Sequence, residues 1–111
     1  MFRITRGKGF HIDFDNGFGV SVQFGSCNYC DHYNADPLES KRLAEDGSKT
    51  AEVAVTLEGE GIVHIEQWGD SVRGYQTPEQ VAALITEVSA LNKKNSKIVF
   101  KSELLFDKEG A

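Results

Sequence analysis

The sequence predicts an α+β fold: an antiparallel β-sheet built from two hairpins and a meander, one long α-helix of the C-terminal half packed on one face, and a final strand. Three observations carry this. Phe10 to Phe24 alternates apolar and polar residues on either side of Asp15-Asn16-Gly17, and Val53 to Ile65 does so around Gly59-Glu60-Gly61. From Thr77 to Leu91 the period becomes helical. A chain of 111 residues, 40% of them hydrophobic, supplies one core, so residues 1–111 are expected to form a single domain.

The first hairpin is legible down to its register. A two-residue loop at Asn16-Gly17 would set Phe14 opposite Gly19 and split the apolar residues between two faces. A three-residue loop sets Phe14 opposite Phe18, Ile12 opposite Val20 and Phe10 opposite Val22, all on one face. The sequence therefore predicts a type I turn at Asp15-Asn16, with Gly17 left-handed in a bulge. Upstream, the glycines of Arg6-Gly7-Lys8-Gly9 read as a turn between two strands, because a phosphate-binding loop needs more length and a following helix.

In the second hairpin, pairing Leu57 with Val63 and Val55 with Ile65 leaves Gly59-Glu60-Gly61 as the loop. Asp70 to Tyr75 then reads as a short third strand of that meander, entered by a turn at Gly69-Asp70. Thr77 can cap the helix, Pro78 suits its first position and Gln80 completes a capping box. Val81, Leu84, Ile85, Val88 and Leu91 form its apolar stripe, and Glu87, lying off it, reads as expendable. Lys93 and Lys94 suit the helix C-terminus, and Asn95 a left-handed stop. Lys97 to Phe106 reads as the final strand, with Ile98 and Phe100 on one face. Asp36 to Thr50 reads as mostly loop, with one or two helical turns in Leu38 to Glu45.

Twelve Lys and Arg against seventeen Asp and Glu give a net charge of −5. Such a surface repels phosphate backbones and argues against extended nucleic-acid binding. The first residues lack the apolar core of a signal peptide, and no apolar run has the length of a membrane span. A cytoplasmic location is expected, with the two cysteines reduced.

Reactive side chains are densest between Phe24 and Tyr33. Cys27 and Cys30 have the spacing of a zinc knuckle, and His32 could add a ligand, but the second paired half-site of a strong zinc signal is missing. A redox pair would need a helix after the first cysteine, where Asp31, Tyr33, Asn34 and Pro37 stand instead. The more economical reading packs Cys30 as a small apolar residue, with no cofactor bound. His11, His32 and His64 with Asp13, Asp31, Glu66 and Ser26 hold the ingredients of a small hydrolase without a motif that fixes their geometry. By alternation His11 and His64 face outward as solvated histidines, and Trp68 lies with His64 and Glu66 opposite Val63 and Ile65. Asn28, Tyr29, Tyr33, Trp68, Arg73 and Tyr75 form a polar-aromatic set suited to binding a protein or a nucleotide-like ligand. The alternative is that these large aromatics fill a small core beneath the long loop.

The string Gly7-Lys8-Gly9-Phe10-His11-Ile12, then Asn16-Gly17, Val20-Ser21-Val22-Gln23-Phe24-Gly25 and Asn28-Tyr29-Cys30, resembles a family of small tailed-bacteriophage accessory proteins of unknown function. Ala51-Glu52-Val53-Ala54-Val55, Trp68-Gly69-Asp70 and Val72-Arg73-Gly74-Tyr75 fit the same pattern. The pattern has Pro-Gly where this chain has Ser26-Cys27, which sets Cys27 outside it. The resemblance implies a non-enzymatic accessory protein in the host cytoplasm. Its expected role is host interaction or counter-defence, by binding a host protein or sequestering a small signalling nucleotide. A structural or zinc-stabilised interaction domain is the alternative, and homo-oligomerisation stays open.

Overall fold

A computed structural model describes residues 1–5, 8–24, 47–92 and 97–106. Among these, strands β1 (Phe2–Thr5), β2 (Gly9–Asp13), β3 (Phe18–Gln23), β4 (Ala51–Leu57), β5 (Gly61–Ile62) and β6 (Val72–Gln76) form one antiparallel sheet. Helix α1 (Pro78–Ser89) packs on β3 and β4, and a 3₁₀ turn (Glu103–Leu105) packs on the helix. The fold is α+β. Among the described residues no helix is long and apolar enough to cross a membrane.

The first hairpin has the register its sequence predicts, with Ile12 opposite Val20 and Phe10 opposite Val22. Gly17 sits at φ 90°, its N–H donating to the Phe14 carbonyl at 3.1 Å, while the Phe14 N–H donates to Phe18 O at 2.8 Å. Both valine positions on this face continue into β4, where Val20 meets Val55 and Val22 meets Val53. Val20, Val22, Val53 and Val55 are all buried. Thr77 caps α1 reciprocally with Gln80, and the predicted stripe faces the sheet, with Leu84 and Val88 fully buried.

The end of α1 is closed by a residue 72 positions away. The Asn16 side-chain amide donates to Val88 O and Leu91 O, both at 2.9 Å, while its own oxygen accepts the Phe18 N–H. One side chain therefore shapes the hairpin turn and donates to carbonyls at and just beyond the helix C-terminus. Lys93, Lys94 and Asn95, expected to do this, lie outside the described residues, as does the helical turn expected within Leu38 to Glu45.

Five expectations are corrected. The second hairpin pairs Leu57 with Gly61 and Thr56 with Ile62, two residues tighter than Leu57 with Val63. Its turn closes when the Glu60 N–H donates to Leu57 O, with Gly59 at φ 83°. The third strand, β6, does not extend the meander beyond β5. It returns to pair with β4, beside β5 on the same edge.

Lys97 to Phe106 forms no strand within its described residues. Side chains replace the ladder there: Gln67 accepts the Phe100 N–H and donates to Phe100 O, and Glu87 accepts the N–H groups of Lys101 and Ser102 at 2.6 and 2.7 Å. Glu87 is therefore not expendable; its carboxylate latches this strap while Phe100 and Leu105 enter the core. Trp68, finally, does not face away from Ile65. The chain turns tightly between Ile65 and Asp70, with the Trp68 N–H donating to Ile65 O, so residues three apart fall on one side.

Candidate functional site

Three of the six residues expected to bind a ligand or partner come together. Trp68, Arg73 and Tyr75 line one shallow hollow of about 300 Å³ on β6, with Asp70, Val72 and Gly74. Asn28, Tyr29 and Tyr33 lie outside the described residues, as do Cys27, Cys30 and His32. Among the described residues, no three His, Cys, Asp or Glu side chains gather to hold a metal ion.

The three do not play the same part. Trp68 is only 6% exposed. Its indole N–H donates to Leu105 O at 3.0 Å, and its ring lies 5.4 Å from that of Phe100. It belongs to the core and supports the hollow from below, so the alternative weighed for these aromatics holds for Trp68. Arg73 is half-buried, opposite Val53. Tyr75 is 56% exposed.

Tyr75 also has an unusual backbone. Ala51 pairs with Gln76 but Val53 pairs with Arg73, so Gly74 and Tyr75 together face Glu52 in a β-bulge. Tyr75 takes up the irregularity at φ 54°, and no other non-glycine residue among those described has a positive φ. Left-handed backbone costs an ordinary L-residue roughly 1–2 kcal/mol. The buried Gln76 holds the bulge closed by donating to Gly74 O at 2.9 Å. No pattern of residue types announces such a conformation at a tyrosine.

A second polar cluster occupies the sheet face opposite α1. Gly19 leaves a gap in which a Cβ would press on both Thr56 Oγ1 and His11 Nε2. Through that gap His11 Nε2 reaches Thr56 Oγ1 at 3.2 Å, and Asp13 Oδ1 lies 2.9 Å from the same nitrogen. His11 does face outward by alternation, but its side chain is 13% exposed and not solvated; His64 is exposed. Partial burial opposes charge on Asp13, but hydrogen bonding to Arg3 and the charges of His11 and Arg3 outweigh it and lower its pKa below 3.8. Of the hydrolase ingredients, Ser26, Asp31 and His32 lie outside the described residues, while His11 and Asp13 do meet, with Thr56 as the neighbouring hydroxyl. A nucleophile–histidine–acid relay needs hydroxyl and carboxylate on different ring nitrogens, and here both sit on Nε2.

No protein-family model, curated protein or solved structure matches the chain.

Proposed function

We propose that this protein is a non-catalytic accessory module that binds a host protein through the bulged β6 edge, with Tyr75 and Arg73 as anchors. Tyr75 carries the reading. The bulge accounts for the backbone, but glycine would adopt it without strain. What a glycine lacks is the exposed ring and hydroxyl, and Tyr and Arg dominate protein-binding hot spots.

The geometry favours a protein over a small signalling nucleotide. The Asp70 carboxylate lines the same hollow and opposes phosphate, as does the net charge of −5. Trp68, the best stacking surface in the set, is committed to Leu105 and Phe100. The connection at His11 supports a non-catalytic role. A phage setting, counter-defence and a cytoplasmic site of action follow from the sequence resemblance and belong to the same proposal.

The test substitutes Tyr75→Gly. Relief of the left-handed backbone, about 1–2 kcal/mol, is partly offset by glycine's entropy when unfolded, so Tm should hold or rise. Partners captured from bacterial lysate by the native protein should be lost. A clear fall in Tm, or unchanged capture, would refute the role of Tyr75. Stabilisation by a nucleotide panel, lost in Arg73→Ala, would move the assignment to nucleotide sequestration.

A further inference from the structure

The β1 edge has a property that the β6 edge lacks. Met1 and Asp13 exchange backbone hydrogen bonds, both at 2.8 Å, and Arg3 sits opposite His11. In an antiparallel ladder the bonded pairs alternate, so Arg3 points its N–H and C=O toward β2 while Phe2 and Ile4 point theirs away. Among the described residues nothing pairs with that outer side.

The side chains of the same two residues are also in solvent, Phe2 72% and Ile4 84% exposed. They lie on the apolar face, opposite Ile12 and Phe10, beyond the strands that α1 covers. Free edges are ordinarily blunted by a bulge, a proline or an outward charge. β1 has neither bulge nor proline across its four pairs, and its one charge, Arg3, is held by Asp13 at 3.0 Å.

We propose that β1 pairs antiparallel with β1 of a second copy about a two-fold axis, making a symmetric dimer. The outward backbone groups permit a register in which Phe2 bonds to Ile4 of the second copy and Ile4 to its Phe2. This sets an aromatic against a β-branched residue twice, a favourable cross-strand pair. Arg3 then faces its own copy on the other side of the sheet, each guanidinium already paired with Asp13. Four residues of ladder contribute far less than the roughly 800 Å² per partner of a standard interface, so the dimer is weak and forms in the upper micromolar range or above. It leaves the β6 edge open in both copies and does not depend on the function proposed for that edge.

Sedimentation equilibrium on the full chain, from micromolar to millimolar, should show the mass rising from 12.3 kDa toward its double. Over the same range the Phe2 and Ile4 amides should become protected from hydrogen exchange. Ile4→Pro removes an N–H that β2 does not use, and Ile4→Lys places a charge on the edge. Either variant, once shown to melt like the native protein, should stay monomeric. A native chain that remains monomeric at millimolar concentration overturns the proposal. So does a dimer that survives in a folded Ile4 variant, or Phe2 and Ile4 protection gained only when an extended apolar peptide is added.

Discussion

Strands β1 and β6 both border the sheet, but their surroundings differ. Beneath β6 lies Trp68, the strand ends in its own buried Gln76, and it is broken by a bulge at Gly74 and Tyr75. β1 is regular, backed among the described residues by β2 alone, and every one of its residues is exposed. Irregularity and support go together here. A strained backbone persists where the packing around it over-determines its shape, and β6 has that packing. β1 has none, and it keeps the regular geometry that any strand adopts unaided.

The sharpest way to break this comparison is to remove the support. Trp68→Ala deletes a buried aromatic and its hydrogen bond to Leu105, and should cost about 3–5 kcal/mol in urea unfolding. The Tyr75 environment should become mobile on the NMR timescale in any molecules still folded. A loss below about 1 kcal/mol would mean that the β6 edge stands without its base.

A smaller effect is expected at the latch. Glu87→Ala leaves the N–H groups of Lys101 and Ser102 without their acceptor and should cost about 1–2 kcal/mol, whereas the position of Glu87 off the apolar stripe would by itself predict silence. The same change should shift protease cleavage toward the strap at Lys101 before it touches β4. Unchanged stability and unchanged cleavage would show that Phe100 and Leu105 hold the strap by packing alone.

The smallest effect belongs to the β1 side. Asp13 has a folded-state pKa below its ordinary 3.8, so its contribution is complete above that value and is lost as pH falls through the lower folded one. Asp13→Asn should narrow the stability gap to the native protein steadily with acid, until the two coincide once the native carboxylate is protonated. A gap that is constant with pH would mean that the pairing with Arg3 and His11 contributes nothing through charge.

Particular residues show what the sequence could and could not reveal. The first hairpin is legible because an odd loop length is needed to keep Phe10, Ile12, Val20 and Val22 on one face and Asp15-Asn16-Gly17 suits a three-residue turn, and α1 because Thr77, Pro78 and Gln80 mark its start. The second hairpin slips by two residues, a shift that preserves face parity and so leaves the apolar pattern unchanged. The strap keeps the alternation of a strand, Ile98 and Phe100 inward, but its backbone partners are the side chains of Gln67 and Glu87, and nothing local encodes that. Arg73 and Tyr75 could be named from residue type, whereas the left-handed backbone of Tyr75 arises from a one-residue mismatch between β6 and β4. Alternation misplaces Trp68 because a tight turn intervenes, where period two no longer applies.

Asn16 has a consequence for how the chain folds. Its amide bridges a turn formed by neighbours and a helix end 72 residues later, so the contact closes only after most of the chain has collapsed. The hairpin and the last turn of α1 then share one fastening, and neither can fray without releasing the other. In native-state hydrogen exchange the Phe18 amide and the last amides of α1 should open as one cooperative unit. In Asn16→Ala they should separate, the helix end opening first.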